Sequence, residues 1–134
     1  MVNQYHSNLH PPRCDACIVS FPEEHVLLVS IARPKKMKTT NPRLNWQLDN
    51  VWKWFDEEPS LRVAIITGQG SKAFCAGSNL LEIEPTQKNK DAPWDHAQPQ
   101  SASAGLARRR GKKPVLAAVN GVALGGGFEI VLNW

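Results

Sequence analysis

Two stretches limit what this chain can fold into more than any other feature: "LRVAIITG", residues 61–68, and "KPVLAAVNG", residues 113–121. Each is a short apolar run closed by glycine, with no polar alternation, which suits a strand buried on both faces of a parallel sheet. The other segments fit around them. "CIVSFPEEHVLLVSI", residues 17–31, reads as two short strands about a turn at Pro22–Glu24. Asn41-Pro42 has the form of an N-cap followed by proline at the first helical position. Leu44, Leu48, Val51 or Trp52, and Phe55 then recur at helical spacing, so 42–57 is an amphipathic helix, with Trp46, Trp52 and Trp54 as packing residues. A short helix is expected over 103–110 and another from about Gly126. The order ββα, β, loop–α, β, α implies an α/β fold with parallel sheet character. Residues 1–16 read as a loose N-terminal arm, and 85–102 as a polar surface loop.

With 134 residues, 42% of them hydrophobic, the chain can bury one modest core. Its longest apolar runs, such as Val26–Val29 and Val63–Ile66, are far too short to span a bilayer, so no membrane association is expected. The N-terminus has neither a signal-peptide apolar run nor transit-peptide character, and an intracellular soluble protein is expected, the mitochondrion, peroxisome and cytoplasm being indistinguishable. Three cysteines argue against a disulfide framework. Cys14 and Cys17 form a C-x-x-C without the second pair that a zinc site needs, so they read as two ordinary thiols, and no metal site is expected. The net charge of +4 is concentrated in Arg33, Lys35, Lys36 and Lys38, and in Arg108–Arg110 with Lys112 and Lys113. Such clusters form solvated faces, meet a phosphorylated ligand or meet nucleic acid. Few aromatics are interleaved with them, so nucleic acid is not expected.

The chemistry lies in two segments built on one plan. Val63–Thr67 leads through Phe74-Cys75-Ala76-Gly77 to Ser78, and Val115–Val119 leads through Asn120-Gly121 to Gly125-Gly126-Gly127. Small residues let a ligand approach the backbone, and a helix start presents unsatisfied N–H groups. Two such turns side by side would aim two amides at one point, the requirement of an oxyanion hole. Taken alone, three glycines read first as a close helix–strand contact. Glu129 favours chemistry: three residues after Gly126, its carboxylate comes back to the same mouth as a general acid or base, the alternative being a glutamate held by the helix dipole.

"KAFCAGSNLLEI" and "KKPVLAAVNGVALGGGFEIVL" resemble the two signature segments of the enoyl-CoA hydratase/isomerase (crotonase) superfamily. "VSIARPKKMKTTN" is similar to its first loop. The likeness runs from about residue 18 to 132. It implies an incomplete crotonase/ClpP-like spiral of ββα units, with 17–134 as the N-terminal portion of the domain. It also implies an acyl-CoA thioester partner, with coenzyme A as part of the substrate and no separate cofactor. Carried over, the oxyanion donors are the N–H groups of Ser78 and Gly126, and Glu129 is the first catalytic glutamate, activating water for addition to a trans-2-enoyl thioester. Ala76 and Ser78-Asn79-Leu80-Leu81 would line the thioester and CoA, with Arg33, Lys35 and Lys36 facing its phosphates and the second basic cluster helping. Asn79 stands where the family usually has Asp, and Ala32-Arg33-Pro34 where Asn-Arg-Pro is common, which puts the adenine and phosphate contacts in doubt. A second glutamate, and the C-terminal helices that support the family's homotrimers and hexamers, would lie beyond Trp134. The resemblance therefore implies hydration, or an isomerase or hydrolase reaction of the same family. The alternative is a truncated, non-catalytic fragment that binds CoA or a full-length paralogue.

Overall fold

The computed structural model describes residues 9–32, 42–71, 73–75 and 99–132. A four-stranded sheet has the order β1 (Cys17–Ser20), β2 (Val26–Ile31), β3 (Val63–Gly68) and β5 (Val115–Ala118). β1 and β2 are antiparallel, while β2–β3 and β3–β5 are parallel. A second, two-stranded parallel sheet joins β4 (Ala73–Cys75) to β6 (Val122–Ala123). The described residues also form two α-helices, α1 (Pro42–Glu57) and α2 (Gly126–Leu132).

The apolar stripe of α1 is buried as its spacing predicts: Leu44, Leu48, Val51, Trp52 and Phe55 join Leu27, Val29, Ile31, Ala64, Ile66 and Val115 in one cluster. Those sheet residues alternate along their strands, so the four-stranded sheet has one covered face. The other face carries the register row Leu28–Ile65–Leu116, and there Leu116 is 56% exposed. The two apolar runs are thus strands, but among the described residues neither is fully buried on both faces, and β5 is a sheet edge. The three tryptophans differ: Trp52 is buried, Trp54 packs partly against the core, and Trp46 is largely exposed.

The helix expected over 103–110 is instead a single 3-10 turn at Ser103–Gly105. Ala102, Ala104 and Gly105 all have positive φ, a backbone that cannot continue an α-helix. Side chains of α1 impose it. Asn45 accepts the N–H of Ala104 at 2.8 Å, the Trp52 indole N–H donates to the Ala104 carbonyl at 2.8 Å, and Ser101 donates its hydroxyl to Asp49. Gly105 passes so close to Asp49 that an added Cβ would lie 2.6 Å from the Asp49 backbone nitrogen.

The second basic cluster grips the C-terminal end of α1. Arg109 pairs with Asp56 at 2.5 Å, and the Lys112 ammonium pairs with Glu57 at 2.6 Å. The backbone N–H groups of Lys112 and Lys113 donate to Asp56, and the Lys113 ammonium donates to the carbonyls of Phe55 and Glu58. Phe55 lies in the last turn of α1 and Glu58 directly follows it, so one ammonium caps the end of the helix. Cys14 and Cys17 are joined in a disulfide, not left as thiols: the turn at Asp15-Ala16 brings their Cα atoms to 5.7 Å. Residues 9–16, expected to be loose, lie against the fold, with Leu9, Cys14 and Ala16 packed on the core. Asp15 anchors them. Its N–H donates to the Gln47 side-chain Oε1 at 3.0 Å, and its carboxylate accepts from the Gln47 side-chain amide and pairs with Arg13 and Arg43.

Two outcomes follow from these contacts. Trp52→Phe leaves the buried Ala104 carbonyl without its donor and should cost about 1–3 kcal/mol in urea unfolding; an unchanged midpoint would mean that the bond does not hold the turn. Hydrogen bonds from Gln47 and Arg13 hold the Asp15 carboxyl below its ordinary value of 3.8. The carboxylate's own contribution to holding the arm should therefore be complete above that value and lost as pH falls through the lowered one, while the packing of Leu9, Cys14 and Ala16 remains. Side-chain NMR shifts of Gln47 and Arg43 should follow this acid titration and stay flat between pH 5 and 8, on the order of the usual carboxylate margin.

Candidate functional site

β4 and β6 bring the two glycine-rich segments together. They pair in parallel with Ala73 opposite Val122 and Cys75 opposite Ala123, with a register shift between. The pairing then runs on, since the Leu124 N–H donates to the Cys75 carbonyl at 3.1 Å. The chain leaving Cys75 toward Ala76 therefore starts beside the turn that begins α2.

Each of the three glycines has its own physical reason. Gly125 has a φ of +52°, the left-handed region that glycine enters without strain. Gly127 is buried, and a Cβ there would lie 1.9 Å from the Cys75 carbonyl oxygen, so the start of α2 can seat on β4 only without a side chain. The close helix–strand contact thus accounts for Gly127, and the turn accounts for Gly125. Gly126 remains. As the first residue of α2 its N–H has no intrahelical acceptor, and no backbone bond among the described residues takes it up. The turn itself is fixed by the Gly127 N–H donating to Leu124 at 2.9 Å and the Glu129 N–H donating to Gly125 at 3.0 Å.

Glu129 stands in the first turn of α2, on its exposed surface, and is paired with no cation among the described residues. A carboxylate at this place is favoured by the helix dipole whatever else it does. Its neighbours on the same end of the fold are apolar and also exposed: Leu124 at 58% and Phe128 at 51%. Of the residues singled out by sequence, the structure brings Gly126 and Glu129 to this end. Ala76, Ser78, Asn79, Leu80, Leu81, Arg33, Lys35 and Lys36 lie outside the described residues.

Asn120 is a positioning residue that the sequence showed only as half of a turn. Its carbonyl oxygen accepts the Gly68 N–H at 3.0 Å, and its amide donates to the Gly70 carbonyl at 2.7 Å and the Ala73 carbonyl at 3.3 Å. One side chain thus ties the loop after β3 and the start of β4 to the β5–β6 turn, fixing the lead into both glycine-rich segments. No local pattern marks it, because its three partners lie 47–52 residues away.

The second basic cluster does not face this end as free charge. Arg109, Lys112 and Lys113 are committed to the end of α1. A groove of about 1120 Å³ runs between α1 and residues 99–110, lined among others by Trp46, Lys53, Arg108 and Arg110; neither Gly126 nor Glu129 borders it. Among the described residues no three His, Cys, Asp or Glu side chains gather as metal ligands, and no helix is long and apolar enough to cross a membrane.

Known proteins resemble this chain in sequence and in fold. The chain is 43% identical over 122 residues to mevalonyl-coenzyme A hydratase of Aspergillus fumigatus, covering 91% of this chain and 44% of that protein. It is 46% identical over 127 residues to the Beauveria bassiana enzyme of the same name, with 91% and 45% covered. Among solved structures, a carnitinyl-CoA hydratase from Mycobacterium avium superposes with a TM-score of 0.75 at 31% identity, over 90% of this chain and 44% of that one. The chain thus spans a little under half the length of these relatives. The family model for enoyl-CoA hydratase/isomerase matches residues 22–133, and with the crotonase-type fold and the paired glycine-rich segments this places the chain in the enoyl-CoA hydratase/isomerase family.

Proposed function

We propose that this chain supplies the oxyanion-binding part of a site that adds water to, or removes it from, an acyl-CoA thioester. One observation carries the reading: the Cys75 carbonyl meets both Leu124 and Gly127, so the segment after Cys75 and the Gly126 amide start from the same place. Ser78 follows Cys75 by three residues, which covalent geometry limits to about 10 Å of chain. Its amide and that of Gly126 would bind the thioester oxygen as charge develops on it in the enolate-like state. Glu129, one turn beyond Gly126, would orient and deprotonate the water that adds at C3, and in the reverse direction would return that proton. Arg33, Lys35 and Lys36 would meet CoA phosphates, while Ala76, Asn79, Leu80 and Leu81 would line the thioester and pantetheine. The likeness to two mevalonyl-coenzyme A hydratases favours a branched, hydroxylated acyl group over a simple straight chain. The reaction needs no cofactor beyond the CoA that the substrate carries. We further propose that the complete protein forms the trimers or hexamers that the family resemblance implies.

The test uses this chain continued by the part of the Beauveria bassiana relative that lies outside the matched region. The chimaera should hydrate crotonyl-CoA or dehydrate mevalonyl-CoA, read by the ultraviolet absorbance of the enoyl thioester. Gly126→Pro removes the amide hydrogen at a position where helices accept proline, and should lower kcat about 10²–10³-fold. Glu129→Gln should lower it by about 10²–10⁴-fold, with an unchanged circular dichroism spectrum. Full activity in Glu129→Gln would remove the carboxylate from the mechanism, and full activity in Gly126→Pro would remove the oxyanion donor.

A further inference from the structure

Eight large hydrophobic side chains are exposed among the described residues, and six of them fall between 116 and 132: Leu116, Val119, Val122, Leu124, Phe128 and Leu132. They are carried by β5, β6, α2 and the turns between. The earlier elements carry the other two of the eight, Ile18 and Trp46, and there α1 and the docked arm bury one face of the sheet. β5 is the last strand of a parallel run, with β3 on one side and no described strand on the other. Parallel sheets are ordinarily covered on both faces, and exposed apolar groups of this size mark places where other protein packs.

We infer that the β5–β6–α2 end is a docking surface for the complementary part of an enoyl-CoA hydratase/isomerase chain, and that it accepts this part also as a separate polypeptide. The lengths argue for this occupant: the relatives devote more than half their residues to a portion this chain does not match. So does the position of the exposure, confined to the end of the matched region, where a following unit of the fold would pack. Charge argues against a second copy of this chain. Residues 114–132 contain one ionisable side chain, Glu129, and no cation. An isologous dimer through this end would enclose two like carboxylates in an apolar interface with nothing to balance them. A complementary segment can bring a polar group to that carboxylate while covering the apolar residues. The inference is independent of the hydration reading, because it is tested by association and not by turnover.

The experiment co-expresses this 134-residue chain with the unmatched part of the Beauveria bassiana relative as a separate, tagged polypeptide. A 1:1 complex should co-purify and elute as one species, and the amides of Val115–Ala118 should gain hydrogen-exchange protection relative to the chain alone. Leu116→Lys with Phe128→Glu should weaken co-purification by about 100-fold or more, as loss of central anchors does. Both positions are more than half exposed, so the pair should leave the circular dichroism of the chain unchanged. Trp46→Ser, which changes an exposed apolar residue on α1, should leave the complex intact. Three results would overturn the inference. One is no complex although the covalent chimaera is soluble, another is a complex indifferent to the Leu116/Phe128 charges, and the third is a stable homodimer that the segment fails to displace.

Discussion

The carbonyl of Cys75 is the contact on which the glycine-rich end of this fold depends. It lies buried at the end of β4, accepts the Leu124 N–H at 3.1 Å, and lies where a side chain at 127 would have to go. Because Gly127 yields that space, α2 can begin directly against β4. Because Gly125 turns left-handed, the helix axis is set before it begins. Gly126, between them, has an amide that no backbone bond among the described residues takes up. In this three-glycine run the outer two members are thus explained by geometry, and the amide of the middle one is the donor that the proposed chemistry would use.

Behind this end, α1 is an organiser of backbone as much as a packing element. Its apolar stripe covers the sheet, while Asn45, Asp49 and Trp52 satisfy the polar groups of residues 101–105. At its far end Asp56 and the Phe55 carbonyl receive Arg109, Lys112 and Lys113. The segment leading into β5 is thereby held at both ends by one helix. Asn120 then fixes where β5 hands over to β6. The location of Gly126 rests on this sequence of side-chain-to-backbone bonds, since the intervening chain has little regular structure of its own.

That arrangement explains what was legible in the sequence. Strands β2 and β3 and helix α1 showed themselves because their signals are local, short apolar runs rich in β-branched residues and a period of 3.6 residues. The pairing of the glycine-rich segments was legible because each follows an apolar strand. The 3-10 turn was not, because Asn45 and Trp52, more than fifty residues earlier, impose a left-handed backbone on alanines with high helix propensity. The role of "RRRGKK" was hidden for the same reason. A run of cations looks like a free face until its acceptors are known, and Asp56 and Glu57 lie 53–57 residues away. The residues that line the thioester by family resemblance fall largely outside the described ones, and Gly126 and Glu129 alone can be placed.

Those two residues stand where the exposed apolar groups are most concentrated, and the coincidence has a physical consequence. Amide dipoles and carboxylates act far more strongly on a developing charge when water is excluded than when they face solvent. In the described residues Glu129 is open, with Phe128 and Leu124 beside it equally open. Covering this end therefore does two things at once: it removes apolar surface from water, and it lowers the dielectric around the one carboxylate and the unused amide. The hydrophobic effect that drives the covering would also supply the environment the chemistry needs, so assembly of the fold and completion of the site become a single event.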